Sequence, residues 1–299
     1  MKNITLHAVS FLGPLLLIAS MQSVAAQPVH PAANALAVSW EPDVILNGAP
    51  CLFSVKPQVR LLSLGGAWFG KRVFFDPDAA GVWHGLAGVS VDATSGTYQL
   101  ALEAVTADGQ KIAFKQPVFV GRFGYRSIAL RVDTKFTDPS PDELAVIKQE
   151  AALKAEVFSR SAERRAWTGR FAAPMNAVTT EEFGVQRTFN GVRRRIHNGL
   201  DYRAAVGTAV GAMNGGTVLL ARALFYEGNC VMIDHGYGWL TLYFHLSRLN
   251  VAEGQSVKRG QTVGLSGETG RVTGPHLHVS ARWQGIYVDP AQLLELPLP

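Results

Sequence analysis

The chain has 299 residues, of which 47% are hydrophobic and 17% are charged, and its formal net charge is +5. This length accommodates roughly two domains, and the composition is that of an ordinary soluble protein. Its 30 glycines, together with many short β-branched segments, favour β structure over helix. After residue 26 no apolar stretch is long enough to cross a bilayer, so we expect no transmembrane anchor.

Residues 1–26 have the pattern of a secretory signal peptide. Lys2 gives a positive start, residues 8–20 are apolar, and small residues lead up to Ala26. We expect cleavage after Ala26 and export to the periplasm or the extracellular space. Residues 27–43, which are rich in Ala, Pro and Val, are predicted to be an extended lead-in.

The mature protein is expected to be mildly basic. Loss of Lys2 with the signal peptide takes the net charge from +5 to +4, and Arg193, Arg194 and Arg195 form a basic cluster. Nucleic acid is one interpretation of such a cluster, but export argues against it, so we expect no nucleic-acid partner. An anionic polymer such as the cell wall fits better, and simple solubility explains the charge equally well.

The two cysteines, Cys51 and Cys230, lie 179 positions apart. Neither has the spacing of a metal or redox pair. We expect buried free thiols, although an oxidising compartment would permit a bridge between them.

Residues 44–136 contain about seven short β-type segments separated by turn signals, a pattern typical of an immunoglobulin-like β-sandwich. Asp108-Gly109 predicts a hairpin turn between two of these strands. We find no catalytic group in this region, since His84 is better explained as structural. The predicted domain is a spacer or a binding module.

A helical linker is predicted over residues 137–170. Ser140 has the character of an N-cap, followed by proline at the first helical position and Glu143 three residues after the cap. Good helix formers then continue to about Trp167. From residue 171 the character is again β and rich in glycine, which predicts a C-terminal antiparallel sheet domain over 171–299.

Histidines in this C-terminal domain indicate a metal centre. His276 and His278 lie one residue apart on a strand-like segment and therefore point to the same side of a sheet. Zinc takes three protein ligands and a water at a catalytic site, and His197 and Asp201 with one member of the His276/His278 pair supply three. His245 and the other member are then left for proton transfer. His235, before a glycine, is predicted to be a structural turn residue.

Residues 171–299 resemble the LytM/lysostaphin-type zinc metallopeptidases (peptidase family M23). The resemblance is carried by Phe183-Gly184…Arg187, His197-Asn198-Gly199-Leu200-Asp201, Gly228-Asn229, Ile233-Asp234-His235-Gly236, Tyr243-Phe244-His245-Leu246, Val251…Gly254-Gln255…Val257…Gly260-Gln261, Gly267-Glu268-Thr269-Gly270, Thr273-Gly274-Pro275-His276-Leu277-His278 and Val288-Asp289-Pro290. One departure is Ala204-Ala205-Val206-Gly207-Thr208, which lacks a proline common in the family; we expect it to alter loop stiffness rather than chemistry.

The resemblance implies a role for each site residue. His197, Asp201 and His278 match the ligands of one Zn²⁺ per chain. His245 and His276 match the catalytic histidines, and which of them is the general base stays open. Tyr243 borders the family's groove and is expected to contact substrate.

The resemblance also implies a secreted zinc metalloendopeptidase that hydrolyses peptide cross-links of peptidoglycan, with the stem peptides as its partners. The expected oligomeric state is a monomer. Two alternatives are a non-enzymatic wall-binding activator of other hydrolases and a secreted protease that acts on proteins. Because the family often covers its groove, we also expect residues 171–299 alone to be more active than the mature protein.

Overall fold

The computed structural model of the chain describes residues 35–191 and 193–299, without the side chains of Arg193 and Arg194. The predicted signal peptide and residues 27–34 of the predicted lead-in lie outside these residues. The described part of the chain forms one compact, mainly β unit. Within it, neither helix is both long enough and apolar enough to cross a membrane.

The strands and helices are numbered in chain order. The strands are β1 (Leu36–Glu41), β2 (Ile45–Leu46), β3 (Pro50–Pro57), β4 (Leu61–Trp68), β5 (Lys71–Phe74), β6 (Asp76–Pro77), β7 (Trp83–Gly88), β8 (Gly96–Thr106), β9 (Lys111–Gly121), β10 (Ser127–Leu130), β11 (Thr179–Glu181), β12 (Gln186–Phe189), β13 (Arg193–Ile196), β14 (Leu200–Arg203), β15 (Ala209–Gly211), β16 (Gly216–Leu224), β17 (Gly228–Gly236), β18 (Trp239–Leu246), β19 (Arg248–Leu249), β20 (Ser256–Val257), β21 (Thr262–Leu265), β22 (His276–Trp283) and β23 (Ile286–Val288). The helices are α1 (Pro141–Ser159) and α2 (Pro290–Glu295), and a 3-10 turn spans Thr134–Phe136.

The first half of the described chain contains two sheets, with strand orders β1-β3-β7-β6 and β2-β9-β8-β4-β5. Their apolar side chains meet in a core that includes the fully buried Phe53, Trp68 and Leu100. The β8–β9 hairpin turns through Asp108-Gly109 as predicted, and Gly109 takes the positive φ of 86° that the turn requires.

The predicted lead-in is wrong in its second half. Leu36–Glu41 is strand β1, which pairs antiparallel with β3 along its whole length. Its side chains alternate between buried and more exposed positions, beginning with the buried Leu36, so this segment is part of the sheet. The first folded strand therefore starts before residue 44.

Helix α1 begins where the sequence predicts and ends earlier. The Ser140 hydroxyl accepts the Glu143 N–H, and the Glu143 carboxylate accepts the Ser140 N–H at 2.8 Å, which completes a capping box. The helix stops at Ser159, eight residues before Trp167 (167 − 159).

The early end of α1 has a physical cause in the residues that follow it. The Asp234 carboxylate accepts hydrogen bonds from the Ser161 hydroxyl at 2.6 Å and from the Ala162 N–H at 2.9 Å. These contacts hold the chain against the end of β17 in a non-helical path, which overrides the helix propensity of residues 160–167.

The C-terminal sheet has the strand order β11-β14-β22-β18-β17-β16-β20, with β23 beside β22, and its pairings are antiparallel. One face contributes Val231, Tyr243 and Val279 to the main core. The other face presents Met232 and Leu242, which pack with Val157 of α1, in keeping with the two-residue period of a strand. The candidate site lies on this second face.

Cys51 and Cys230 are both buried free thiols, as predicted. Burial raises the pKa of each thiol far above its usual range. Both sulfurs are therefore uncharged and unreactive in the folded protein.

Candidate metal centre and catalytic cavity

Three potential metal ligands converge on the second face of the C-terminal sheet. Asp201 on β14 is the direct cross-strand neighbour of His278 on β22. His197 follows the end of β13, and Gly199 then lets the chain pass close to His278, where an added Cβ would come within 2.6 Å of the imidazole. The glycine between His197 and Asp201 is thus required by close packing.

The three ligand atoms form a small triangle. His197 Nε2 lies 3.0 Å from Asp201 Oδ1 and 3.0 Å from His278 Nδ1, and His278 Nδ1 lies 2.8 Å from Asp201 Oδ1. All three side chains are buried. Ligands about 2.0–2.1 Å from zinc in a tetrahedron are about 3.3 Å apart, so the triangle has nearly the size that zinc requires.

The hydrogen bonds on the far sides of the rings allow all three atoms of the triangle to be acceptors. His197 Nδ1 donates to the Glu182 carbonyl at 2.7 Å, which leaves a lone pair on Nε2. His278 Nε2 lies 2.9 Å from the Ser280 hydroxyl, which can accept its proton and leave a lone pair on Nδ1. Two lone pairs and a carboxylate oxygen at this separation repel one another unless a cation lies between them. The donor set therefore fits zinc.

Arg187 binds the carboxylate oxygen of Asp201 that does not face the metal triangle. The sequence analysis assigned no role to Arg187. Its Nη2 donates to Asp201 Oδ2 at 2.6 Å, and its Nε donates to Glu181 Oε1 at 2.5 Å. Oδ2 is thus fixed by Arg187, and Oδ1 remains directed at the centre.

The two remaining histidines lie side by side next to this triangle, with ring centroids 4.8 Å apart. His245 Nδ1 donates to the Thr269 carbonyl at 2.8 Å, and His276 Nδ1 donates to the Gly274 carbonyl at 2.8 Å. The Nε2 atom of each ring is therefore not used in these hydrogen bonds and faces the site. His276 Nε2 lies 3.9 Å from Asp201 Oδ1. Burial, followed by the neighbouring imidazoles, lowers the pKa of His245 well below its usual range, so this ring is a neutral base.

All five histidine and aspartate side chains open into one cavity of about 510 Å³, which we call the central cavity. Its floor includes Phe244, which stacks on His278 with ring centroids 5.1 Å apart and planes inclined by 7°. Helix α1 forms part of its wall through Lys154 and Phe158. The cavity is large enough for several residues of an extended peptide.

Tyr243 is not in the central cavity, contrary to expectation. It is fully buried in the main core, and its hydroxyl accepts the Met213 N–H at 2.7 Å. The neighbouring Phe244 lies on the opposite face of β18 and lines the cavity. The geometry gives the substrate-facing position to Phe244 rather than Tyr243.

His235 and His84 both lie outside the central cavity. His235 is fully buried, with Nδ1 2.7 Å from the Gly215 carbonyl and Nε2 2.8 Å from the Thr241 hydroxyl. His84 lies between Ser54 and Asp78, at 2.9 Å and 3.1 Å. Both histidines have structural hydrogen bonds on each ring nitrogen, in agreement with the sequence interpretation, but His235 lies within β17 and not in a turn.

Comparisons with known proteins point to the same region of the chain. Residues 195–290 match peptidase family M23. The peptidoglycan DD-endopeptidase ShyA of Vibrio cholerae serotype O1 is 49% identical over 94 residues, covering 31% of this chain and 22% of ShyA. The DD-carboxypeptidase/endopeptidase Mpg of Neisseria meningitidis serogroup B is 46% identical over 105 residues, covering 35% of this chain and 24% of Mpg.

A solved structure extends the similarity beyond the matched region. A Pseudomonas aeruginosa crystal structure assigned to peptidase M23 has a TM-score of 0.63 and 25% sequence identity, and the alignment covers 83% of this chain and 94% of that chain. The curated relatives above are matched over less than a quarter of their own length. Residues 195–290 are therefore a peptidase family M23 domain of the LytM/lysostaphin type.

Proposed function

We propose that this protein is an exported zinc metalloendopeptidase that hydrolyses peptide cross-links of peptidoglycan. The observation that carries the proposal is the convergence of two histidine nitrogens and one carboxylate oxygen within 3.0 Å of one another, beside two further histidines. The names of two similar proteins, a peptidoglycan DD-endopeptidase and a DD-carboxypeptidase/endopeptidase, support the substrate class.

One Zn²⁺ per chain would be held by His197, Asp201 and His278. When bound there, zinc supplies a Lewis acid that polarises a carbonyl oxygen and lowers the pKa of water towards about 7. Arg187 fixes the free carboxylate oxygen of Asp201, and the Glu182 carbonyl fixes the His197 ring. In the metal centre, these contacts orient the ligand atoms of Asp201 and His197 towards the zinc position.

His245 and His276 would carry the proton transfers. Each has its Nδ1 proton committed to a backbone carbonyl, so Nε2 is the atom that accepts or returns a proton in the central cavity. A neutral imidazole can take the proton of the attacking water and deliver it to the leaving amine. An imidazole that carries a proton on Nε2 can hydrogen-bond the oxyanion that develops at the scissile carbonyl.

The location and assembly of the protein are part of the proposal. The signal-peptide pattern of residues 1–26 and the positive net charge support export and work at an anionic wall in the periplasm or outside the cell. The substrate partners are the stem peptides of peptidoglycan, and the working unit is a monomer.

We also propose a division of the chain into an immunoglobulin-like β domain predicted over 44–136, whose start moves to residue 36, a helical linker over 137–170 and the peptidase domain over 171–299. Two sheets with a shared apolar core support the first domain, which then includes β1 as well. Helix α1 supports the second.

The test is mass analysis of the fragments released from purified peptidoglycan, beside an unstructured protein as the competing substrate. Wild type is expected to release peptide fragments, with new free amino groups at former cross-links, and to leave the unstructured protein uncut. His245→Ala should release none while retaining zinc. A chelator should abolish release, and zinc should restore it. Release by His245→Ala at the wild-type rate, or cleavage of the unstructured protein alone, would rule the proposal out.

A further inference from the structure

Among the described cations that are at least half-buried in the central cavity, one forms no ion pair, although Glu227 lies near enough to attract it. Arg187 is paired with Glu181 and Asp201, and Lys154 lies 2.5 Å from Glu227 Oε1. Arg271 lines the same cavity and is half-buried, yet within residues 35–191 and 193–299 it forms neither an ion pair nor a side-chain hydrogen bond. Partial burial of a charge without a partner is costly, so this guanidinium is a candidate ligand-binding group.

Aromatic rings hold the Arg271 guanidinium in place. Its central carbon lies 4.4 Å from the Phe189 ring centroid and 4.8 Å from the Tyr226 ring centroid. Cation–π contacts of this kind stabilise the charge without using the N–H donors. The donors at the edge of the guanidinium plane therefore remain for a ligand in the cavity.

The backbone of the same loop is also rigidly held. The Arg271 N–H donates to the Tyr226 carbonyl at 2.9 Å. Gly270 has a φ of 76° and packs against the backbone of Gly228, so tightly that a Cβ at Gly270 would clash with it. The loop residue Thr269, two positions before Arg271, accepts the His245 Nδ1 proton on its carbonyl. Arg271 is thus fixed relative to a catalytic histidine through two peptide units.

The chemistry of the site favours a carboxylate as the ligand. A guanidinium presents a planar fork of N–H donors that matches a carboxylate in two-point geometry. The cavity also contains the exposed Arg195, and Arg187 is neutralised by its own carboxylate partners. A peptide with a free carboxylate would be attracted, and the same peptide with that group converted to a carboxamide would not.

We propose that Arg271 binds a free carboxylate of the substrate peptide and so sets the specificity of this site for acidic over amidated peptides. The inference rests on the proposed function, because it assumes that a peptide occupies the central cavity. Arg271 acts in binding and touches no reacting bond. The short loop from Thr269 to Arg271, which is hydrogen-bonded to His245, then places the carboxylate at a constant distance from this proton-transfer group.

The experiment compares two purified cross-linked peptides, one with free carboxyl groups and one with the same groups converted to carboxamides. Wild type should cleave the carboxylate form with a kcat/KM about 10- to 100-fold higher than the carboxamide form, mainly through KM. Arg271→Gln should lower this ratio to about 1 and keep its activity on the carboxamide form. Arg195→Gln, with the same loss of charge at an exposed site, should keep most of the preference.

Binding of the two cleaved products to metal-free protein, measured by titration calorimetry, gives a readout independent of turnover. Wild type should bind the carboxylate product about tenfold more tightly than the carboxamide product, and Arg271→Gln should bind both alike. If wild type cleaves neither peptide, the proposed function fails, while the calorimetry still decides the role of Arg271. Equal wild-type affinity and rate for both forms would overturn the proposal. Loss of activity on both forms in Arg271→Lys, with a lowered Tm, would overturn it in favour of a purely structural side chain.

Discussion

Arg187 Nη2 donates to Asp201 Oδ2 at 2.6 Å while Asp201 Oδ1 faces the metal triangle. The arginine therefore determines which carboxylate oxygen is offered to zinc. It also links Asp201 to Glu181, which it contacts through Nε at 2.5 Å. The centre depends on this second set of contacts as well as on its three ligands.

Replacement of this arginine should weaken the metal site without removing a ligand. We expect Arg187→Met to raise the Kd for zinc by about 10- to 100-fold, because Asp201 loses its orientation. Competition with a fluorescent chelator measures this affinity directly. Arg195→Met is the matched control and should bind zinc as wild type does. An unchanged Kd in Arg187→Met would mean that Asp201 is held adequately by other contacts.

Removal of the metal should lower stability as well as activity. The two imidazole lone pairs and the Asp201 oxygen repel each other without a cation, and zinc bound only by the folded state adds its binding free energy. With zinc at about 1,000 times its Kd, we expect chelation to lower the Tm by about 10 °C. Differential scanning calorimetry with chelator, and then with added zinc, measures the shift. The same Tm in all three conditions would contradict a metal held by these residues.

Substitutions on the two faces of β18 should have different effects. Tyr243→Phe removes a buried hydroxyl that accepts the Met213 N–H, so we expect a loss of about 1–3 kcal/mol of stability with kcat/KM unchanged. Phe244→Ala removes a ring from the cavity floor, and we expect a raised KM. Denaturant unfolding and peptide-cleavage kinetics on both variants measure these effects. A large change in KM in Tyr243→Phe would instead support the expectation that Tyr243 contacts the substrate.

Acid should destabilise the protein through His235. Burial lowers the pKa of His235 to about 4 from its ordinary 6.5. The unfolded chain therefore binds a proton that the folded chain does not between these values, so this contribution to stability is present above pH 6.5 and is lost as the pH falls towards 4. The loss is about 3 kcal/mol.

The measurement for His235 is the free energy of unfolding from pH 7 to pH 4, without metal, for wild type and His235→Gln. The difference between the two curves isolates this residue from the other histidines. We expect the wild-type curve to fall more steeply over this range. Parallel curves would show that His235 does not have a lowered pKa.

The ion pair between Lys154 and Glu227 should be a stabilising link between α1 and the peptidase sheet. Both side chains are mostly buried, and Glu227 Oε2 has no hydrogen-bond partner among the described residues. Lys154→Met should cost about 1–3 kcal/mol by leaving the carboxylate without its cation. Adding Glu227→Gln should recover part of that loss. Urea unfolding of both single variants and the double variant measures the coupling free energy between the two side chains. If the changes in unfolding free energy of the single variants simply add up to that of the double variant, the two residues are not coupled.

The convergence of the four histidines and Asp201 could be predicted because their residue types and spacing are visible in short stretches. His276 and His278 share a face through the period of a strand, and the structure brings both together with His197, Asp201 and His245. The role of Arg187 could not be predicted in the same way, since it depends on where β12 lies relative to β14 in the folded chain.

The error at Tyr243 has a local cause. The expectation for Tyr243 came from the family resemblance, whereas the structure shows that His245 has a φ of 64° and that the register between β17 and β18 shifts close to it. This irregularity turns the His245 ring to the same side as Phe244 and reverses the alternation for the residues before it. The sequence carries no clear signal for such a bulge, because non-glycine residues only rarely adopt a positive φ and nothing in Tyr243-Phe244-His245-Leu246 marks His245 as one of them.

Helix α1 lies on the sheet beside the catalytic histidines, where Val157 covers Leu220, Met232 and Leu242. A fragment that begins at residue 171 would lose this cover and would expose these apolar side chains to solvent at the edge of the cavity. Aggregation, rather than the higher activity expected from the family resemblance, is then the outcome to expect from such a truncation. Whether the preceding segment restrains the enzyme is better asked in the intact chain, with the helix left in its place.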